Sequence, residues 1–168
     1  MRTWGLVLAL AVAGGCGEGS RAPAERLNAP IEGPPPTTKR GNVGPDKVVF
    51  DHIFISFRGA KGPREFNSRS KDQARRLAES LHDRVESGFD WHALKREYSD
   101  DTKDGVALGP YTVVNDGLPY QPRTEIPREK YARGLAARIF ALKVGEIELV
   151  AWNEQNCPYG WHIVKRIR

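Results

Sequence analysis

Val48-Val49-Phe50-Asp51-His52-Ile53-Phe54-Ile55-Ser56-Phe57, near the start of the folded region, and Gly160-Trp161-His162-Ile163-Val164, at its end, decide the fold. The first is rich in β-branched and aromatic residues and reads as a central strand. The second reads as the last strand. Alternation sends Val48, Phe50, His52 and Phe54 to one face of the first strand. A polar ring inside an apolar strand must find a hydrogen-bond partner or bear a desolvation penalty. Adjacent pairing of the first and last strands would let His52 and His162 satisfy each other.

Outward from these strands, Arg58 to Arg64 is a basic, glycine-rich loop. Residues 70–88 then place Ala74, Leu77, Ala78, Leu81 and Val85 on one helical stripe, with Ser70 as cap and Gly88 as stop. A shorter helix follows, capped by Asp90, with Trp91, Leu94 and Tyr98 facing inward. It runs into Tyr98-Ser99-Asp100-Asp101. Gly105 to Gly109 marks a turn, Pro110 to Val114 a short strand, and Asn115 to Pro127 an irregular loop. Arg128 to Leu142 returns to helical pattern through Tyr131, Leu135, Ile139 and Phe140. Gly145 ends it, and strands at 147–152 and 160–167 close the chain. The order β, α, α, β, α, β, β predicts a compact α+β domain over 47–168, with a four-stranded mixed or antiparallel sheet surrounded by three to four helices.

The chain before residue 47 has a different character. Met1-Arg2 gives a positive charge, Leu6 to Ala13 an apolar run, and Ala13-Gly14-Gly15 small residues just before Cys16. The run is shorter than the roughly 20 residues needed to span a bilayer, and the layout is that of a signal peptide over 1–15. Small residues before a cysteine resemble the lipobox of bacterial lipoproteins, in which Cys16 would be acylated as the first mature residue. A plain signal peptide with Cys16 incidental is the competing reading. Residues 16–46 interleave Pro23, Pro30, Pro34, Pro35, Pro36 and Pro45 with glycines and charges. So little apolar surface cannot offset the entropy of ordering, which predicts a disordered tether.

Composition narrows the classes of function. The 168-residue chain carries a formal net charge of +5 with 28% charged residues. That small surplus argues for neither nucleic acid nor anionic lipid as a partner. Cys16 and Cys157 cannot make a disulfide framework or a Cys-rich metal site. Cys157, in Asn156-Cys157-Pro158, reads as a turn residue rather than a nucleophile. His52, His82, His92, His162 and Asp101 show no ligand spacing that would put a metal on one helical face. No metal or cofactor is expected.

The residues resemble the parvulin-type peptidyl-prolyl isomerases. The resemblance rests on His52-Ile53-Phe54-Ile55, Glu86-Ser87-Gly88-Phe89-Asp90-Trp91, Tyr98-Ser99-Asp100-Asp101, Leu108-Gly109-Pro110-Tyr111, Phe140 to Ile147 and Tyr159-Gly160-Trp161-His162-Ile163. It covers Val48 to Arg168 in order. It implies that His52 and His162 form the floor of an isomerase site and that Asp101 lies close to the substrate carbonyl. It also implies a proline pocket of Tyr131, Leu135 and Phe140. Tyr131 stands where methionine is usual and Leu135 where phenylalanine is usual. Gly105-Val106-Ala107-Leu108-Gly109 replaces the family's Gly-Gly-Asp/Glu-Leu-Gly.

The expected function is isomerisation of prolyl bonds in exported, unfolded or proline-containing polypeptides, by a monomer needing no nucleic acid. The alternative is a weak or inactive parvulin-fold chaperone module. Bland roles stay open too: His52 and His162 as mutually satisfied core groups, Asp101 as a turn residue, and Arg58, Lys61 and Arg64 as a solvated loop. Lipidation of Cys16 would hold the domain on a membrane, facing the periplasm or cell exterior. Gly17 gives no inner-membrane retention signal of the aspartate type, so the outer membrane is preferred.

Overall fold

The computed structural model describes residues 44–62 and 68–168. The stretch expected to be a signal peptide, Cys16, the expected tether as far as residue 43, and Arg64 of the basic loop lie outside the described residues. Strand β1 (Lys47–Ile55) sits at the centre of a five-stranded sheet. It pairs antiparallel with β4 (Tyr111–Val114) on one side and β7 (Trp161–Arg166) on the other. Strand β6 (Ile147–Val150) continues antiparallel beyond β7. The first and last long strands are therefore neighbours, as the two histidine-bearing stretches required.

The fifth strand departs from the four expected. Strand β5 (Ile126–Pro127) joins β4 in parallel, with Val113 opposite Ile126. Two residues ending in proline carry almost no strand signal. Proline is tolerated there because the edge of a sheet does not require its missing N–H. A separate hairpin, β2 (Thr102–Lys103) with β3 (Val106–Ala107), turns through Asp104 and Gly105 at φ values of 52° and 78°. Two consecutive positive φ values define the tight hairpin turn that Asp-Gly favours. The turn thus lies one residue earlier than the glycines at 105 and 109 suggested.

Three α-helices pack on this sheet among the described residues. Helix α1 (Lys71–Glu86) opens with a capping box: Ser70 Oγ accepts from the Gln73 N–H at 3.2 Å, and Gln73 Oε1 accepts from the Ser70 N–H at 2.8 Å. Helix α2 (Trp91–Tyr98) is capped by Asp90, whose carboxylate accepts from the Ala93 N–H at 2.6 Å. Each such cap satisfies an N–H that the helix itself cannot, typically contributing about 1 kcal/mol.

Helix α3 (Arg133–Ala141) is shorter than the 128–142 pattern. A 3₁₀ turn occupies Arg128–Lys130, and Tyr131 and Ala132 are then extended, with ψ of 155° and 133°. The break lets the Tyr131 ring pack edge-on to Phe50 with centroids 5.6 Å apart. Tertiary packing here overrides the helical periodicity. The freed N–H of Gly134 donates to the Asn156 carbonyl at 2.8 Å.

The sheet separates two apolar clusters. Ile53, Ile55, Trp161 and Ile163 meet Ala74, Ala78 and Leu81 of α1 and Trp91 and Leu94 of α2. On the opposite face Val48, Phe50, Val113 and Val164 meet Leu135, Ile139 and Phe140 of α3. The two-residue alternation of β1 thus sends its odd positions to one core and its even positions to the other. His52 and His162 project on the α3 face.

Candidate active site

The pairing of β1 and β7 places Val164 opposite His52 and Phe54 opposite His162. The histidines are diagonal neighbours on one face, close enough for their rings to interact. Both are buried, and their Nδ1 atoms lie 3.2 Å apart. Phe54 stacks on His162 with centroids 4.7 Å apart.

Asp101 comes from the segment after α2, and β1 itself holds that segment in place. Strand β4 pairs with β1 only as far as Phe50, leaving the backbone groups further along that edge open to other partners. Ser99 Oγ accepts from the Phe54 N–H at 3.1 Å, and the Asp100 N–H donates to the Phe54 carbonyl at 2.7 Å. The Asp100 carboxylate accepts from the Ser56 N–H at 2.7 Å and from Arg69 Nη1 at 2.7 Å. Asp100 thereby anchors the segment, and its neighbour Asp101 turns towards the histidines.

Asp101 Oδ2 receives two hydrogen-bond partners, Tyr111 OH at 2.6 Å and His52 Nε2 at 2.9 Å. Taking Asp101 as a carboxylate assigns the His52 proton to Nε2. His52 Nδ1 is then an acceptor, and His162 donates to it from Nδ1. The remaining nitrogen, His162 Nε2, is buried with no hydrogen-bond partner among the described residues. Burial, reinforced by His52, holds the pKa of His162 well below 6.5, so that it stays neutral. Burial and the bond to Asp101 push the phenol of Tyr111 up, so it remains a donor.

This chain of groups lies along a cleft of about 310 Å³ whose lining includes Phe54, Tyr131, Leu135 and Tyr159 together with His52, Asp101 and His162. Its size falls at the lower end of the range of small-molecule pockets, about 300–1,000 Å³. Lys61 and Lys130 also border it. Burial pushes up the phenol of Tyr131, which stays neutral as a wall group should.

Five of the six expected site residues in the domain thus converge: His52, Asp101, His162, Tyr131 and Leu135. Phe140 does not line the cleft. It belongs to the core cluster between α3 and the sheet, 6% exposed, with the Arg128 guanidinium 4.5 Å above its ring. Five residues along a helix turn a side chain by about 140°, so Leu135 and Phe140 cannot share a wall. His82 and His92 lie on α1 and α2, outside the cleft lining. His82, Asp83 and Glu86 bring ligand-type atoms within 4.8 Å of one another on α1, and none of them lines the cleft.

Tyr111, Ser99 and Asp100 have roles that the sequence reading did not assign. The hydroxyl of Tyr111 reaches Asp101 only because β4 pairs beside β1, a relation between distant segments. Phe54 was legible in outline, since alternation places it on the same face as His52.

An apolar cleft floored by a hydrogen-bonded row of ionisable groups, on a sheet whose terminal strands adjoin, marks a small α+β domain with polar groups set beside an apolar recess. Residues 37–167 match the family model described as the PPIC-type PPIASE domain, and the chain belongs to that family, the parvulins. Chaperone SurA of Pseudomonas fluorescens is similar, 27% identical over 125 residues that make up 74% of this chain and 24% of that protein. This chain therefore spans about a quarter of that curated relative. The structure of the peptidyl-prolyl isomerase ESS1 from Candida albicans superposes with a TM-score of 0.51 at 20% identity, covering 73% of this chain and 63% of that one. That likeness establishes the shared α+β fold.

Proposed function

We propose that the domain is a peptidyl-prolyl cis-trans isomerase that turns over prolyl bonds in exported polypeptides without covalent chemistry. The observation that carries this reading is the row Tyr111–Asp101–His52–His162 beside an apolar cleft. Rotation about a peptide bond faces a barrier of about 18–20 kcal/mol because conjugation is lost. Uncatalysed prolyl exchange takes roughly tens to hundreds of seconds. Phe54, Tyr131 and Leu135 would grip the pyrrolidine ring and withdraw the amide from water, which favours the less polar twisted form. Conjugation places negative charge on the carbonyl oxygen. The Asp101 carboxylate beside that oxygen disfavours the planar form more than the twisted one, the differential interaction that catalysis requires. His52 and His162 hold Asp101 in place rather than exchanging protons with substrate.

The N-terminal sequence supports an exported lipoprotein. Acylation of Cys16 would fix the chain to a membrane, the outer membrane by preference, with residues 17–46 as tether and unfolded, proline-containing chains as clients. Labelled palmitate incorporated by the full chain and abolished by Cys16→Ser is the expected result. No incorporation by the unaltered chain overturns the anchor.

A second reading, supported by the curated relative named as a chaperone, is that the cleft holds unfolded chains without turning the amide over. A proline-isomerisation assay on short Xaa-Pro peptides separates the two. Isomerase action predicts activity that Asp101→Ala and His162→Ala remove. Suppressed aggregation of unfolded protein with no isomerisation would replace it by the holding role.

A further inference from the structure

On the sheet face opposite His52, an ion pair between Asp51 and Lys95 is buried, the two residues being 2% and 6% exposed. We propose that this pair is a positioning device for the trio Tyr111, Asp101 and His52; the trio's catalytic part rests on the isomerase reading. Three segments deliver the trio, and each of them touches the pair.

The first segment is β1. Asp51 directly precedes His52, and its Oδ1 accepts from the His52 backbone N–H at 3.0 Å as well as from Lys95 Nζ. Its Oδ2 accepts from Trp91 Nε1 at 2.8 Å, so α2 grips the carboxylate from two of its turns. The second segment is the end of α2. The backbone carbonyl of Lys95 accepts the Ser99 N–H at 3.0 Å, and Ser99 Oγ in turn accepts from the Asp101 N–H at 3.3 Å. The residue that pairs with Asp51 through its side chain therefore caps, through its backbone, the turn carrying Asp101.

The third segment leads into β4. A Cβ on Gly109 would lie 2.9 Å from Asp51 Oδ1 and 3.3 Å from Lys95 Nζ. Glycine is what lets the backbone pass this close, two residues before Tyr111, and its φ of +95° suits glycine alone. Both sides of the 2.9 Å bond from His52 to Asp101, and the approach to the 2.6 Å bond from Tyr111, are thus referred to one carboxylate–ammonium contact.

A buried ion pair is poor evidence of stability, because packed apolar residues of like volume often serve as well or better. What a fixed pair of charges supplies here is a single geometry. Functional groups depend on such support from the residues behind them.

The test uses the full chain carrying Lys95→Met, and the double variant Asp51→Asn/Lys95→Met, which leaves no unpaired buried charge and whose folding is checked by circular dichroism. Two readouts are taken: kcat and KM on an Xaa-Pro peptide, and the ¹⁵N imidazole signals of His52 and His162, which report tautomer and hydrogen bonding. The expected result for the folded double variant is a fall in kcat of about tenfold, the equivalent of one weakened hydrogen bond, with KM little changed. The His52 Nε2 signal should move as well. A folded double variant with unaltered imidazole signals and unaltered kcat overturns the proposal. If the unaltered chain shows no isomerisation, the isomerase reading fails, and the imidazole signals alone still decide the positioning role.

Discussion

The Nδ1 atoms of His52 and His162 face each other across 3.2 Å on adjacent strands, so one of them carries a proton and the other a lone pair. Two imidazolium ions could not share that contact, and burial adds a second penalty to charging the inner ring. His162 is therefore the neutral ring of this floor, and the Nδ1–Nδ1 contact ties its tautomer to that of His52.

Stability should report this directly. The pKa of His162 is lowered well below its ordinary 6.5, chiefly by burial. Below 6.5 the unfolded chain takes up a proton at this ring while the folded chain does not. The contribution of His162 is thus fully present above that pH and is lost progressively as pH falls below it, at up to about 1.4 kcal/mol per pH unit. Urea unfolding across the range from neutral to about pH 5 should show this slope, and His162→Gln should flatten it. A variant as steep as the unaltered protein would place the titration elsewhere.

Tyr111→Phe removes one donor and nothing else from the rim. The lost bond is 2.6 Å long and ends on the carboxylate. Hydrogen bonds to charged groups are worth about 1.5–3 kcal/mol, but the Asp101 side chain is 22% exposed and water can replace part of that. The expected outcome is a fall in kcat/KM on Xaa-Pro peptides of about tenfold, with a small shift in the thermal midpoint. Unchanged kcat/KM would show that the hydroxyl does not steer Asp101.

The contrast between Tyr111 and His52 shows what a linear sequence carries. His52 and His162 stand out because a polar ring in an apolar strand is a local anomaly, and the α1 cap at Ser70 because Gln73 follows at capping-box spacing. The strands and helices around them are likewise local patterns. Tyr111 in Leu108-Gly109-Pro110-Tyr111 is locally ordinary, and its role depends on register with β1. The Asp51–Lys95 pair is hidden for the same reason, since charged residues 44 apart give no periodic sign of contact. Phe140 fails the other way: it has a matching residue type but sits about 140° round the helix from Leu135, in the core rather than on the cleft. The Asp104-Gly105 turn does carry a local dipeptide signal, and it falls at the leading edge of the 105–109 stretch rather than within it.

Gly134→Ala offers a test in which local propensity and packing disagree in sign. Within a helix, alanine is favoured over glycine by about 1 kcal/mol. Here the added Cβ would stand 2.9 Å from the Asn156 carbonyl oxygen and 3.1 Å from Asn156 Cβ, closer than packed atoms tolerate. The backbone carbonyl cannot swing aside without breaking its own bond from the Gly134 N–H. Overpacking of this kind typically costs about 1–3 kcal/mol, so net destabilisation is expected in thermal or urea unfolding. A more stable variant would mean that the 153–157 segment yields easily.

Cys157 should be inert for reasons of burial. It is 0% exposed in the core beneath α3, its thiol contacts the Gly160 carbonyl at 3.7 Å, and burial pushes its pKa up to about 12. The thiolate is the reactive form, and here it is both scarce and covered. In the Cys16→Ser chain, where Cys157 is the remaining thiol, an aromatic disulfide reagent at mildly alkaline pH should leave the folded protein unmodified and label it promptly in concentrated denaturant. Slow native labelling, if followed long enough, should track opening of the Asn153–Cys157 bridge and the strands beside it rather than reagent concentration. Prompt labelling of the folded protein would show that this corner opens freely, and with it the Asn156 carbonyl that holds the start of α3 beside the cleft.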